Sequence, residues 1–290
     1  MITVCFIENI DPLGVHTGDS FCSAPMLTIS EDVQKELQRQ AYKIVEAIVL
    51  TGGSTAGLEC SIGVMDYLNS PSVVGAVIYD RKIGKDERPH LKDGFEMAKN
   101  ASYENLDQGN IGVGTGATTG KWIYKNRIKG GFGISIKQIS NNAFVGAFVV
   151  TNAVGDVINP ITKEFYSESG KYDYNNYYTE NFGNKNIKRG TNTTLAVIVT
   201  NIEMSREELI KVSELAQDGM ARAIYPVHTN WDGDVIFSIS PHCKNRIIEF
   251  VDRGYDVEVY GYERSANNKY TDFPCKYYII GNIVDGSYLE

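Results

Sequence analysis

A polar cluster, Gly-Thr-Asn-Thr-Thr, joins the apolar run Leu-Ala-Val-Ile-Val directly between residues 190 and 199. A turn that feeds a buried strand needs only one or two such polar residues. Asn192 and Thr193 also offer chemistry, because a threonine hydroxyl can attack the peptide bond that precedes it. A threonine freed at its nitrogen is then a nucleophile that carries its own base. The segment predicts either a turn or self-cleavage at Asn192–Thr193, and taken alone the motif favours the turn.

A glycine-rich stretch from Gly109 to Trp122, GNIGVGTGATTGKW, places five glycines before Lys121. The phosphate-binding interpretation is weak, because that pattern requires Ser or Thr directly after the lysine and Trp122 stands there. Glycines at this density allow the backbone to approach another group closely. Lys121 is therefore either the cation of a site or a solvated surface lysine.

Two further stretches carry polar groups next to apolar runs. Asp232 and Asp234 flank a glycine, and Asp-Gly typically forms a tight turn before a strand. Residues two apart in an extended chain point to the same side, so the two carboxylates could also hold a nearby ammonium group. Asn152 follows the run AFVV and could supply an oxyanion donor at a strand end, although loop capping is the commoner use of such an asparagine.

The composition limits the classes of partner and cofactor. The 290 residues are 42% hydrophobic and 22% charged, with a net charge of −8, which argues against nucleic acid and anionic membranes as partners. The N-terminus lacks the basic start of a signal peptide, and five scattered cysteines predict reduced thiols in the cytoplasm. A cytoplasmic location removes the glycosylation interpretation of Asn-Thr-Thr at 192–194. Without C-x-x-C or a histidine pair at ligand spacing, we expect no metal, and we expect no cofactor.

The predicted elements alternate between helices and buried strands. Apolar spacing predicts a helix from Ser30 to Leu50 and a second over Leu58–Leu68 after a glycine break, and a capping box at Ser205 begins a third. Pro160–Asn192 reads as a long polar loop, which is uncommon unless functional. The order of elements predicts an α/β or α+β fold. The predicted strands are Val73–Asp80, Phe144–Thr151, Leu195–Thr200 and Asp234–Ser240.

Taken together, these stretches resemble one family, the DmpA-type aminopeptidases (L-aminopeptidase/D-esterase), and within it the nylon-oligomer hydrolases. The resemblance covers roughly Leu50 to Ser240, whereas the segments before and after depart from the family's pattern. Several motifs in the family's order are far more specific than any one. The matching segments are GGSTAGLE, AVIYD, GTGATTGK, FVVTNAVGD, NTTLAVIVTNIEMSREEL and ARAIYPVHTNWDGDVIF.

The resemblance implies an α+β fold, a four-layer α-β-β-α sandwich. It implies a single domain over residues 1–290 that cleaves itself into an α fragment, 1–192, and a β fragment, 193–290. The two fragments would stay associated and assemble into a homo-oligomer, a tetramer of heterodimers. It assigns the cleavage to Asn192–Thr193, the nucleophile to Thr193 and the remaining site roles to Lys121, the oxyanion donor Asn152, the pair Asp232 and Asp234, and Tyr79.

The resemblance therefore implies an N-terminal-threonine hydrolase that cleaves amide bonds of small peptides or ω-amino acid oligomers through an acyl-enzyme. An acyltransferase that uses the same acyl-threonine is the main alternative. A non-enzymatic binding protein is a second alternative, and the full set of site residues argues against it. A pyruvoyl enzyme also cleaves itself, but Thr193 weighs against this class, because dehydration of serine gives pyruvoyl and dehydration of threonine does not. The sequence leaves the amide substrate open.

Overall fold

The computed structural model describes residues 2–10, 14–17, 45–81, 83–84, 87–101, 107–121, 127–140, 143–166, 191–202, 204–240 and 277–279. Its helices are α1 (Glu59–Leu68), α2 (Leu91–Lys99) and α3 (Arg206–Ala223), with 3₁₀ turns at Ser54–Leu58 and Gly112–Gly116. The strands are β1 (Ile2–Ile10), β2 (Gly14–Thr17), β3 (Val45–Thr51), β4 (Val73–Val77), β5 (Thr118–Thr119), β6 (Ile128–Lys129), β7 (Gly131–Ser140), β8 (Ala143–Thr151), β9 (Asp156–Val157), β10 (Leu195–Thr200), β11 (Ile224–Tyr225), β12 (Val235–Ile239) and β13 (Tyr277–Ile279).

Two larger sheets organise these strands. The first has the order β13-β1-β3-β4, and the second has the order β2-β12-β10-β8-β7. In the second sheet β10 lies parallel to β12 and antiparallel to β8. β11 pairs with β9 and β5 with β6 in two short ladders. Strand β10, which begins two residues after Thr193, therefore lies in the middle of its sheet.

The two sheets pack face to face. Side chains alternate between the two faces of each strand, so one face points toward the other sheet and the opposite face points toward the helices. On β3, Ile48 and Leu50 enter the core between the sheets, whereas Ala47 and Val49 pack against α1 and α2. On β10, the side chain of Ala196 packs toward α3. β3 and β10 are thus buried on both faces, which explains why the middle of each strand is apolar on both sides. The layers follow the order helices, sheet, sheet, helix, and the predicted four-layer α-β-β-α sandwich is confirmed. The inner face of β10 and β12 consists of Leu195, Val197, Val199, Val235, Phe237 and Ile239.

Local sequence explains where the helices lie. α1 and α2 pack so closely that two positions have room only for glycine. A Cβ on Gly63 would lie 1.9 Å from the carbonyl oxygen of Leu91. A Cβ on Gly94 would lie 2.1 Å from the carbonyl oxygen of Cys60. The predicted capping box begins α3: the Ser205 side chain accepts from the N–H of Glu208, and the Glu208 carboxylate accepts from the N–H of Ser205.

The predicted helix over Ser30–Leu50 is wrong at its C-terminal end, where Val45–Thr51 forms strand β3. Residues 18–44 lie outside the described residues. The spacing of Ile44 and Ile48 fits a helix, but the segment is buried on both faces and pairs with β1 and β4, so tertiary pairing decides its structure.

The other predicted elements are confirmed with small changes in their bounds. The second predicted helix is α1, and the capping box begins α3 as expected. The predicted strand over Val73–Asp80 ends earlier, at Val77. Most of the predicted loop, residues 167–190, lies outside the described residues. Among the helices described, none has both the length and the apolar character needed to cross a membrane.

Candidate active site

The candidate residues come together at one edge of the second sheet. Residues 192–194 precede β10 and residues 232–234 precede β12, while Asn152 follows β8. Because β10 is parallel to β12 and antiparallel to β8, the beginnings of β10 and β12 meet the end of β8. Sheet topology therefore brings together three groups of residues that are at least 38 positions apart in the sequence (194 to 232).

Asn152 is the centre of this group and is fully buried. Its backbone oxygen accepts from the backbone N–H of Thr193 at 3.0 Å and from Lys121 Nζ at 2.9 Å. Its side-chain Oδ1 accepts from Lys121 Nζ at 2.8 Å and from the N–H of Thr118 at 3.1 Å. One residue thus joins the predicted nucleophile to the predicted cation.

The side-chain Nδ2 of Asn152 is buried and has no hydrogen-bond partner among the described residues. The orientation of the amide is fixed, because both groups that face Oδ1 are donors. An unsatisfied buried donor costs about 1–3 kcal/mol, and such groups are rare in folded proteins. Nδ2 is therefore a donor available to an oxygen that arrives with a substrate.

The glycine-rich stretch holds Lys121 in place through bonds to the segment after β8. The Thr119 hydroxyl donates to the carbonyl of Gly155 at 2.5 Å, and the N–H of Gly120 donates to the same oxygen at 2.8 Å. Burial lowers the pKa of Lys121 to about 7, although the charge of Asp232 opposes this change. A neutral Lys121 can donate to both oxygens of Asn152 and still keep a lone pair that accepts a proton.

Asp232 and Asp234 bind backbone N–H groups. Asp232 Oδ1 accepts from the N–H of Val154 at 2.9 Å, and Oδ2 accepts from the N–H and the hydroxyl of Thr229 at 3.1 and 2.5 Å. Asp234 Oδ1 accepts from the N–H of Thr194 at 2.8 Å. Each carboxylate therefore fixes a segment beside Thr193. The turn expected at Asp-Gly lies slightly earlier, where the N–H of Asp232 donates to the carbonyl of Thr229.

Burial and the neighbouring charge of Asp234 raise the pKa of Asp232 to about 6. Its carboxylate and Lys121 therefore titrate close to the same pH, in opposite directions from their ordinary values. Opposing shifts of this kind are typical of functional sites.

His228 is a site residue that the sequence interpretation missed. Its Nδ1 lies 2.6 Å from Asp234 Oδ2, and its backbone has a left-handed φ of 52°. Burial lowers the pKa of His228, but the hydrogen bond and charge of Asp234, together with smaller contributions from Gln217 and Asp232, raise the pKa overall. The only sequence signal is its position six residues before Asp234 in HTNWDGD.

Tyr79 is not joined to the group by hydrogen bonds among the described residues. It lies two residues after the end of β4 and is half-buried. The neighbouring Asp80 accepts from the N–H of Gly53 at 2.7 Å. The structure therefore connects five of the six predicted catalytic residues. No cluster of three or more His, Cys, Asp or Glu suited to a metal ion occurs within the described part of the chain.

Comparison with known proteins gives a family match over most of the chain. The sequence pattern described as Peptidase family S58 matches residues 34–259. A second pattern, the ATP-binding domain of the carbamoyl-phosphate synthase L chain, matches residues 1–63 only. It overlaps the first over 34–63, where β3 and the start of α1 are integral to the sandwich.

Individual relatives agree with the family match. An uncharacterized aminopeptidase of Mycobacterium leprae is 32% identical over 69% of this chain and 61% of its own length. A 6-aminohexanoate-oligomer endohydrolase of Paenarthrobacter ureafaciens is 28% identical over the same shares. The chain thus spans less than two thirds of the length of these relatives. The solved L-aminopeptidase D-Ala-esterase/amidase of Ochrobactrum anthropi, a variant of the Ntn hydrolase fold, has a TM-score of 0.54 at 17% identity, covering 82% of this chain and 71% of its own.

The contact between His228 and Asp234 generates a test that does not depend on activity. Asp234→Asn keeps an acceptor for the N–H of Thr194 but removes the charge, so we expect the pKa of His228 to fall. The matched control is Asp232→Asn, which removes a charge with a weaker effect on His228 and should lower its pKa less. NMR titration of the four histidines, with His228→Gln for assignment, measures both shifts. Equal shifts in the two variants would contradict the assigned pairing.

Proposed function

The chain belongs to peptidase family S58, and from this premise we propose that it is a self-processing hydrolase of amide bonds with Thr193 as its nucleophile. The observation that carries the proposal is the arrangement around Asn152, whose backbone oxygen accepts from both Thr193 and Lys121. The same residue presents a buried Nδ2 without a partner among the described residues. Nucleophile, base and oxyanion donor thus meet at one residue.

In the proposed reaction the Thr193 hydroxyl attacks the substrate carbonyl, and its proton passes to the Thr193 α-amine with help from Lys121. The lowered pKa of Lys121, about 7, suits a proton acceptor at neutral pH. Asn152 Nδ2 stabilises the oxyanion. Water then releases the acyl group and restores the free threonine.

The two carboxylates support this chemistry by binding the backbone next to Thr193 and next to Asn152. Asp234 holds the N–H of Thr194, the residue directly after Thr193, and His228 holds Asp234 in turn. Asp232 holds the segment after Asn152 through Val154 and raises the pKa of Lys121 by its charge. The pair therefore fixes Thr193 between two anchored segments and moderates the proton affinity of the base.

Self-cleavage at Asn192–Thr193 would divide the second sheet between two fragments. β7 and β8 would belong to residues 1–192, whereas β10, β12 and α3 would belong to residues 193–290. All six residues of β10 pair with β8, and the inner faces of β8, β10 and β12 share one core. This sharing supports fragments that stay associated after cleavage. A homo-oligomer and a cytoplasmic location remain predictions.

The proposed substrates are small amides: an N-terminal aminoacyl amide or an ω-amino acid oligomer. Relatives named as aminopeptidases and as a 6-aminohexanoate-oligomer endohydrolase favour hydrolysis over acyl transfer. Because the chain spans 61% of those relatives, both the substrate class and the overall activity are proposals for this chain.

The first test is self-cleavage. Mass spectrometry of the purified protein should give two fragments, residues 1–192 and 193–290, the second beginning at Thr193. Thr193→Ala should leave one intact chain, because the attacking hydroxyl is lost. The matched control is Thr194→Val, since the Thr194 hydroxyl is buried without a partner among the described residues and valine has nearly its shape. An intact but active wild-type protein would overturn the mechanism.

A second test concerns Asn152. Asn152→Ala removes the oxyanion donor and should lower kcat by about a hundredfold or more with little change in KM. Asn152→Asp keeps the Oδ1 acceptor for Lys121 and Thr118 but loses the donor, so kcat should fall here as well. If the Asp variant keeps wild-type kcat, Asn152 acts only as an anchor for Lys121.

The third test uses the pKa of Lys121. In the uncleaved chain the nitrogen of Thr193 is in a peptide bond, so it cannot be the base for its own hydroxyl. If neutral Lys121 takes the proton, the rate of self-cleavage should rise with pH up to about 7 and level off above it. Lys121→Arg stays charged at every pH and should cleave slowly throughout. Freshly translated precursor followed by gel electrophoresis at several pH values gives both profiles, and an unchanged rate in the arginine variant would exclude Lys121 as the base.

A further inference from the structure

The peptide bond between Asn192 and Thr193 is held on both sides by hydrogen bonds to the backbone. The N–H of Gly233 donates to the carbonyl oxygen of Asn192 at 2.7 Å, and the N–H of Thr193 donates to the carbonyl oxygen of Asn152 at 3.0 Å. The two bonds fix the plane of the peptide unit that is the proposed site of cleavage. Neither bond involves the side-chain amide of Asn152.

The surroundings of this peptide exclude most water. Asn192 is 2% exposed and Thr193 is 9% exposed. The Asn192 side chain donates from Nδ2 to the carbonyl of Trp231 at 3.2 Å, and Asn192 pairs with Asp232 in a parallel bridge. A hydrogen bond in such a site is electrostatically stronger than in water.

We propose that the backbone N–H of Gly233 is the oxyanion donor for self-cleavage, separate from the Asn152 side chain that serves substrate turnover. This inference rests on the proposed function, since it concerns the reaction that creates the free Thr193. The carbonyl oxygen that would become negative already accepts from Gly233, while Asn152 Nδ2 has no partner within the described residues. The site therefore contains two oxyanion donors, one for each reaction.

In the proposed step the Thr193 Oγ bonds to the carbonyl carbon of Asn192, and the negative charge develops on the oxygen that faces Gly233. The C–N bond then breaks, the proton from the hydroxyl ends on the released Thr193 amine, and an ester joins Asn192 to Thr193 Oγ. One water molecule hydrolyses that ester, giving the carboxylate of Asn192, the free hydroxyl of Thr193 and a proton. The Gly233 N–H stabilises the tetrahedral oxyanion in both steps.

The same bond also has a purely structural interpretation. It continues the parallel ladder of β10 and β12, in which the next rung is the N–H of Val235 donating to the carbonyl of Thr194 at 3.0 Å. Both acceptor residues are buried, Thr194 fully and Asn192 to all but 2%, and only one rung ends on the carbonyl to be cleaved. The Val235 rung is therefore a matched control.

The experiment replaces single backbone amides by esters in the full-length chain, by cell-free translation with an α-hydroxy acid at one position. Glycolic acid at position 233 removes the N–H that faces Asn192, and α-hydroxyisovaleric acid at 235 removes the N–H that faces Thr194. Cleavage is followed by gel electrophoresis over time, and mass spectrometry of the fragments confirms that the chain is cut before Thr193.

We expect the ester at 233 to slow cleavage by about 10²–10³-fold, the usual loss for one oxyanion donor, and the ester at 235 to cleave within a few-fold of wild type. If the wild-type chain cleaves and the ester at 233 cleaves at the same rate, the inference is overturned and the proposed function stays intact. Equal slowing by both esters would assign the bond to the ladder and also overturn it. A wild-type chain that never cleaves would overturn both the self-processing function and this inference.

Discussion

The arrangement of the site depends on the hydrogen bonds of one buried amide. Asn152 has no exposure, and each buried polar atom that lacks a hydrogen-bond partner destabilises the fold. Its two oxygens accept from residues on two separate segments: Thr118 and Lys121 on the glycine-rich stretch, and Thr193 before β10. Those bonds hold the end of the glycine-rich stretch against the start of β10. Loss of either segment would leave a buried acceptor or a buried amine without its partner.

The sandwich makes this possible because strand direction brings distant residues to one edge. β10 is central and parallel to β12, so the polar residues before each strand lie side by side, and Asp234 can reach the N–H of Thr194. The apolar faces beyond that edge fix the strands in register, with Leu195 opposite both Val150 and Val235. Position in the sheet therefore explains why a polar cluster precedes so apolar a strand. The apolar run anchors β10 in the core, and the polar cluster lies at the end of the sheet where the site residues meet.

Much of the fold, and less of the site, could be predicted from the sequence. The apolar runs at β8, β10 and β12 and the capping box at Ser205 are local signals, and each one marks its element correctly. β3 was missed, because Ile44 and Ile48 fit a helical period and only pairing with β1 and β4 decides otherwise. The motifs and the family resemblance made Asn152 and the two aspartates candidate site residues. They could not show that Asp232 binds Val154 or that His228 binds Asp234, because these partners are chosen by the way distant turns pack.

Cleavage itself would adjust the charge balance of the site. Thr193 N and Lys121 Nζ lie 3.0 and 2.9 Å from the same oxygen of Asn152, so a new ammonium on Thr193 would lie close to the lysine. A like charge at that range disfavours protonation, and it would lower the pKa of Lys121 below the value of about 7 that burial gives it in the intact chain. Asp232, with its charge already acting on Lys121, opposes this change. The two amines therefore disfavour each other's protonation, so at least one of them stays neutral, as the proposed mechanism requires of the group that accepts the proton of the Thr193 hydroxyl.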